Sequence, residues 1–403
     1  HLGPNHPSVA ISLNNLAELL RAQGKLDAAE PLYRRALAIY EEQLGLDHPF
    51  VATSLGNLAA LLQAQGKHDA AEPLFRRALE RSEKQLGPNH PDVATSLGNL
   101  AGLLLMQDKL DAAAPLYRRA IEIKELQLGP DHTGVATSLN GLAALLKAQG
   151  MLDSAESLYR RALAISEKQR RPDAATLANL ANLLEDQKKF DQAEPLYRRA
   201  IEIKEKELGP DHLSLATTLV NLASMLEKQG KFDAAEPLYC RALEIKEKKL
   251  GPHDPSLATT LHNLASMLED QGKLDAAEPL YSRAIEIKEK HLGPDHPSLT
   301  TSLHNLAGVL KAQGKLDAAE PLYRRAIAIK ETQHGLDHPR VATSVSGLAV
   351  LLKTQGMLDA AEPLYRRALA IKEKQVGPDD ASLAAPLNNH ALLLWRLGRL
   401  DAA

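Results

Sequence analysis

The stretch LNNLAELL, residues 13–20, has the leucines of a buried helix with an asparagine set among them. The phrase returns as LGNLAALL from 55, LGNLAGLL from 97, LANLANLL from 177, LVNLASML from 219 and LHNLASML from 261. Its asparagine falls at Asn15, Asn57, Asn99, Asn179, Asn221, Asn263, Asn305 and Asn389, while Gly141 and Gly347 hold the two remaining slots. Every interval is 42 residues except that from 141 to 179, which is 38. Self-similarity at a fixed period marks a repeat architecture. The chain carries ten copies of the first segment and nine complete copies of the one that follows it.

One unit shows the local logic. In HPSVAISLNNLAELLRAQG (6–24), Pro7 suits a first helical turn and Gly24 the position just past a helix end. In KLDAAEPLYRRALAIYEEQLG (25–45), Asp27 and Glu30 predict a capping-box start, Pro31 is tolerable in or near the first turn, and Gly45 supplies a terminating left-handed residue. Each unit is therefore a helical hairpin with helices of about 17 residues, roughly 25 Å long. Such a hairpin cannot bury its apolar faces alone, so its copies must stack. Tyr33, Phe75, Tyr117, Tyr159, Tyr197, Tyr239, Tyr281, Tyr323 and Tyr365 recur at one register and read as core wedges between helices.

The spacing of Ala17, Leu20, Ala29, Tyr33 and Ala36 resembles the signature of the tetratricopeptide repeat. The 42-residue period, and the phrase LGPHDPSLATTLHNLASMLEDQGKLDAAEPLYSRAIEIKEK (250–290), resemble the longer repeats of kinesin light chains and related bacterial and algal proteins. The resemblance covers essentially all 403 residues. It implies an all-α fold, a right-handed α-solenoid of stacked antiparallel hairpins, with first helices lining a concave groove. It also implies a single repeat array over 1–403, about nine and a half units long, with an irregular junction at 165–178. There, ISEKQRRPDAATLANLA (165–181) has lost four residues of the usual loop, which predicts a local change of pitch. The last copy, LNNHALLLWRLGRLDAA (387–403), has His390 in place of leucine and an added Trp395, as in a capping repeat or by drift.

At 100° per residue, Val9, Leu13, Leu16, Ala17 and Leu20 share the sector that packs on the second helix. Asn15 lies opposite, with Ile11, Glu18 and Ala22, on the face the fold leaves to the groove. The row Asn15, Asn57, Asn99, Asn179, Asn182, Asn221, Asn263 and Asn305 would give that groove a floor of amides, each with two donors and an acceptor for an extended peptide backbone. In the light-chain family the matching asparagines bind peptide backbone, and the resemblance carries that role here. The competing reading has the amides bonded to each other, to helix ends or to water. Around them Glu185, Asp186, Glu227, Glu269 and Asp270 gather near the ends of three successive first helices, with Lys228 among them, Lys147 before and Lys311 and Lys353 after. They suggest a ligand with basic residues, or else a solvated charged rim. His262 and His304 flank the asparagine row and are candidate ligand contacts. The slot before each asparagine holds no lysine or arginine, so neither a carboxylate clamp for chaperone tails nor an acidic cargo motif is expected.

Other chemistries find little support. The net charge of −3 suggests no nucleic-acid or anionic-membrane partner. No apolar run approaches the roughly 18 residues of a membrane span. The loop histidines His6, His48, His90, His132, His212, His296 and His338 come one per repeat, too far apart to share a metal, and read as packing at helix starts. Cys240 is the one cysteine and stands where other repeats have arginine; it fits a reducing, cytoplasmic setting. No nucleophile with its base, no P-loop and no cofactor motif is present. The expected function is a non-enzymatic scaffold or adaptor that binds a peptide segment of a protein partner. The alternative is a sensor or autoinhibitory arm of a larger signalling protein, for example beside a nucleotide-binding ATPase domain. Light-chain cargo attachment would add a heptad segment that this sequence lacks. The chain ends on RLDAA, the opening of a further second helix, and so reads as a fragment; its oligomeric state is left open.

Overall fold

The computed structural model describes residues 3–377 and 380–399, and these hold nineteen α-helices with no strand among the described residues. The first helices are Pro7–Ala22, Pro49–Ala64, Pro91–Met106, Thr133–Ala148, Ala174–Asp186, Leu213–Lys228, Pro255–Asp270, Thr300–Ala312, Pro339–Thr354 and Ala384–Arg396. The second helices, mostly three residues longer, run from Leu26–Leu44 in repeat 1 through Phe190–Leu208 in repeat 5 to Leu358–Val376 in repeat 9. The protein is an all-α helical repeat. Contacts divide it into two compact units, His1–Ala200 and Ile201–Ala403. The helix opening expected at residues 400–403 lies outside the described residues.

In repeats 2–4 and 7–9 a first helix packs on its own second helix and on the second helix before it. The recurring tyrosines fill that sandwich: Tyr33, Tyr197, Tyr239 and Tyr281 are fully buried. The helical wheel misplaced one leucine. Leu16 is 47% exposed, whereas its counterparts Leu58, Leu100 and Leu222 are at most 1% exposed. This leucine is therefore covered by the preceding repeat and not by its own hairpin partner, and repeat 1 has no described helix before it.

Helix starts correct a second expectation. The loop histidines are N-caps: Nδ1 of His48, for example, accepts from the Phe50 amide at 3.2 Å, and Asp254 takes the same place in repeat 7. The capping box predicted from Asp27 and Glu30 does not form. Lys25 is the N-cap and offers no acceptor, while both carboxylates reach the next repeat. Asp27 accepts from Gln65 at 3.0 Å, and Glu30 is shared by Arg34 at 2.7 Å and Lys67 at 2.8 Å. Lys67, then Arg34, hold the Glu30 carboxyl down at about 2. So the alternating charges of the second helices are inter-repeat ties as well as a solvated surface; Glu83–Arg119 and Glu205–Arg241, both at 2.6 Å, repeat the motif about three turns further along the helix. Pro31 sits at the sixth residue of its helix, past the first turn, and the helix runs on through it.

Gly45 ends its helix at φ 81°, ψ 158°, an extended conformation open essentially to glycine alone and not the helical left-handed region. The tight turn inside each hairpin does use that region: Gly24 has φ 75°, but Asp108 and Lys188 stand in the same slot at φ 60° and 59°. A left-handed β-carbon costs about 1–2 kcal/mol, less for aspartate, whose side chain bonds locally. Lys188→Gly is expected to stabilise the first unit by about 1 kcal/mol, and Asp108→Gly by less. Urea unfolding of the two variants checks the order.

The shortened junction trims both flanking helices. The second helix of repeat 4 stops at Lys168, Arg170 turns at φ 56°, and Asp173 caps the next helix through the Ala175 and Thr176 amides.

Candidate functional site

The expected binding residues lie on first-helix positions that neither neighbouring helix covers. Within the first unit Asn15 and Asn99 are exposed and Asn57, Asn179 and Asn182 half-buried; within the second, Asn221, Asn263 and Asn305 are half-buried. Threonines 53, 95, 217 and 259, one turn earlier, are exposed beside them. Asn15, Asn57, Asn99, Asn179 and Asn263 make no hydrogen bond to the described protein. Their amides are open to a ligand.

Three members of the row, Asn182, Asn221 and Asn305, have partners within the protein, and for Asn182 and Asn305 the reason was missed in the sequence. The buried tyrosines run the length of the sandwich and bring their hydroxyls up under the asparagines. Asn305 Nδ2 donates to the Tyr281 hydroxyl of the preceding repeat at 3.1 Å, and the Tyr197 hydroxyl meets the Asn182 carboxamide. Each tyrosine hydroxyl also reaches a carboxylate of its own hairpin: Tyr197 to Glu185 at 2.8 Å, Tyr239 to Glu227 at 2.7 Å and Tyr281 to Glu269 at 2.8 Å. Asn305, Tyr281 and Glu269 form one chain of bonds.

The same tyrosines account for the two glycines in the row. A β-carbon on Gly141 would lie 2.7 Å from Cζ and 2.9 Å from Oη of Tyr117, and closer still to Cε1. On Gly347 it would lie 2.6 Å from Tyr323 Cε1 and 3.2 Å from His304 Cε1. In these two hairpins, with Leu105 and Lys311 where others have glutamate, the ring leans into the next repeat's slot and leaves room only for glycine.

These contacts recast the acidic cluster. Glu227 and Glu269 are half-buried, with burial pushing both carboxyls up and the tyrosine bond pulling them back. They belong to the floor and not to a solvated rim. Asp186 is neutralised by Lys147 at 2.7 Å, whereas Asp270 is exposed and makes no ion pair among the described residues. Lys228 is exposed.

His262 and His304 are half-buried clips between repeats. Their rings pack edge-on against Tyr281 and Tyr323, with centroids 5.3 and 5.2 Å apart. His262 Nδ1 meets the Ser302 hydroxyl at 3.1 Å and His304 Nδ1 meets Ser344 at 3.5 Å. Those hydroxyls also accept from Lys288 at 3.1 Å and Lys330 at 2.8 Å. An ammonium only donates, so each serine hydroxyl keeps its own proton to donate in a hydrogen bond to the imidazole. Burial, then the nearby lysine, pushes both histidines down to about 4, which keeps the rings neutral acceptors. Asn14 to Ser54 and Asn140 to Thr176 make the same clip at 3.3 and 2.5 Å. The slot before the asparagine is thus an inter-repeat fastener.

Between repeats 2 and 3 the fastener and the tyrosine hydroxyl are both missing. Gly56, Phe75 and Ser82 stand there, and a cavity of about 340 Å³ opens beside Asn57 and Asn99. The Gln85 Nε2 amide is buried at its edge without a partner. No group of three or more metal-ligating side chains occurs among the described residues, and no described helix is long and apolar enough to cross a membrane.

Comparison with known proteins agrees with this architecture. Tetratricopeptide repeat models match residues 9–50, 50–126, 116–168, 173–248, 256–332 and 340–403. Among solved structures, BtubC (BKLC) from P. vanneervenii is 27% identical over 56% of this chain and 92% of its own, with a TM-score of 0.50. A candidate kinesin light chain of Podosopora anserina with nearly identical TPR-like repeats is 26% identical over 50% of this chain and 96% of its own, with a TM-score of 0.46. No curated protein matches. With repeat matches from residue 9 to residue 403 and a buried tyrosine or phenylalanine wedge in each of nine hairpins, the chain belongs to the tetratricopeptide repeat family.

Proposed function

We propose that the protein is a non-enzymatic scaffold that holds an extended peptide segment of a partner protein along its first-helix face. Tetratricopeptide repeats generally bind protein partners; the peptide mode is the reading for this chain. One observation carries it: five amides of the asparagine row are accessible, share one register and have no partner in the described protein. A carboxamide pairs with both the N–H and the C=O of an extended backbone whatever the side chains. The Thr-Asn-small residue pattern around it leaves room for the chain to lie close.

Charge sets the favoured side chains by simple complementarity. Glu227 and Glu269 give one carboxylate oxygen each to tyrosine and keep the other, and Asp270 stands beside them, so a basic side chain of the ligand belongs over repeats 6 and 7.

Selection from a displayed library of random 15-residue peptides tests the reading. The comparison variant carries Asn57, Asn99, Asn179 and Asn263 all changed to alanine, which removes no internal hydrogen bond. Each lost amide contact is worth about 0.5–1.5 kcal/mol, so peptides enriched on the parent should bind the variant at least about tenfold more weakly. Equal affinity of parent and variant for the same peptides would place binding on another face.

A further inference from the structure

A cavity of about 650 Å³ between repeats 8 and 9 has a character found nowhere else among the described pockets. Lys330 and His334 enter it from the second helix of repeat 8, His304 and Thr301 from the first helix of that repeat, and Arg340 and Thr343 from the first helix of repeat 9. No carboxylate lines it. The acids nearby are engaged elsewhere, Glu331 by Arg367 at 2.6 Å and Asp337 by Lys374 at 3.4 Å. Lys330 and Arg340 have no ion pair among the described residues; Lys330 donates only to the Ser344 hydroxyl at 2.8 Å. Lys124, Lys246 and Lys288 sit in the same way at the Lys330 register, each bonded to a hydroxyl of the following first helix, so what this junction adds is Arg340 and His334 beside such a lysine.

The constellation is also local to this junction. His334 stands where the three preceding repeats have Leu208, Leu250 and Leu292, and Arg340 where they have Ser214, Ser256 and Ser298. Two replacements in one loop region thus add two basic groups to the lysine already present. The groups repel: burial, then His338, Arg340 and Lys330, push the His334 imidazole down, and burial, then Arg340, does the same to Lys330. The His304 ring, neutral and bonded through Nδ1 to Ser344, has its Nε2–H left to donate.

We infer that this cavity binds the phosphoryl group of a phosphorylated serine or threonine in the segment held along the first-helix face. The inference rests on the peptide-binding reading for its source of ligand. A planar carboxylate offers one charge and two oxygens. A phosphoryl group offers nearly two charges and three acceptor oxygens, which matches an ammonium, a guanidinium and imidazole N–H groups converging from three helices. The guanidinium takes two oxygens side by side, and the lysine acts as a point charge. A basic side chain over repeats 6 and 7 and a phosphorylated one over repeats 8 and 9 would fix the direction in which the segment lies.

The test uses the whole chain and two variants, Arg340→Ser and His334→Leu, each of which restores the residue of the three preceding repeats and so should fold. Calorimetric titration at fixed ionic strength uses inorganic phosphate, the blocked peptide Ala-Ala-pSer-Ala-Ala, and the same peptide with serine or glutamate at its centre. Phosphate and the phosphopeptide should bind saturably, and each variant should weaken both about tenfold, as expected for one lost charge-assisted bond. Unchanged phosphate binding in the variants, or none in the parent, overturns the site. Binding of free phosphate without the phosphopeptide overturns the side-chain source. Equal binding of the glutamyl peptide overturns the preference for a phosphoryl group. Because no displayed peptide is involved, failure of the asparagine variant in library selection leaves these titrations interpretable on their own.

Discussion

Gly141→Ala lowers the stability of the first unit by about 2 kcal/mol or more, the cost of forcing extra volume into a packed site, while Gly56→Ala, in the neighbouring slot of an earlier repeat, raises it by about 0.5–1 kcal/mol. The two substitutions are chemically identical and both fall inside first helices. Helix propensity favours alanine at both. What separates them is the neighbour. Nothing lies within 4 Å of a β-carbon built on Gly56, whereas on Gly141 it would penetrate the ring of Tyr117, itself 6% exposed and hemmed in by the core. Urea unfolding followed by circular dichroism gives both signs in one experiment. Because a repeat array need not unfold in one step, amide exchange over residues 133–148 assigns the loss to that helix. The control is Tyr117→Ala: with the ring gone, adding Gly141→Ala should cost nothing, a non-additivity of about 2 kcal/mol. Equal effects at Gly56 and Gly141 would mean that the Tyr117 ring does not occupy the slot.

The repeat, the hairpin and the family were legible because they depend on periodicity, and a period of 42 is visible without any three-dimensional information. So was the outward placement of the asparagines, since a helical wheel needs only the rise and turn of one helix. What the wheel cannot show is a contact made by the helix of another repeat. Leu16 was assigned to the wrong partner for that reason. The capping box failed in the same way: Asp27 and Glu30 have the right spacing for a local bond, but Gln65 and Lys67, nearly 40 residues later, compete for them and win. The cations of repeats 8 and 9 escaped notice because the sequence reading looked for them beside the asparagine, on the first helix. Lys330 and His334 come from the second helix and Arg340 from the helix start that follows.

The asparagine row shows the same limit from the opposite side. Its accessible members support the reading drawn from resemblance, yet Asn305 is already bonded to a tyrosine that sequence analysis placed wholly in the core. The signal was present in part. Gly141 follows a repeat with Leu105, and Gly347 one with Lys311, while Asn221, Asn263 and Asn305 follow repeats with Glu185, Glu227 and Glu269. It was only partial, because Asn57, Asn99 and Asn179 follow Arg21, Gln63 and Lys147; among the described residues, only at Glu269, Tyr281 and Asn305 does a tyrosine hydroxyl join the two positions by bonds on both sides.

Tyr281→Phe measures what that link is worth. The substitution keeps the ring and removes one oxygen, so packing is preserved; Phe75 occupies the same register in repeat 2, where Gln63 replaces the glutamate and no carboxylate waits beneath. In repeat 7 the loss leaves the half-buried Glu269 carboxylate without its 2.8 Å donor and Asn305 without its acceptor. A hydrogen bond to a charged group contributes about 1.5–3 kcal/mol, and the second unit should lose about that much at neutral pH. The pH dependence identifies the source. Burial already raises the Glu269 carboxyl above its ordinary 4.5, and the tyrosine bond opposes that rise. Without the hydroxyl the carboxyl rises further. A group whose folded value is raised takes up its proton in the folded state first, so acid relieves the penalty instead of adding to it. The gap in stability between parent and Tyr281→Phe should therefore be full above the raised value and close progressively as pH falls through it toward 4.5. Equal stability at pH 7 would show that the hydroxyl contributes nothing net. A loss that persists unchanged into acid would move the cause from the charge on Glu269 to the neutral bond with Asn305, and the asparagine would then be held by the core rather than set out for a ligand.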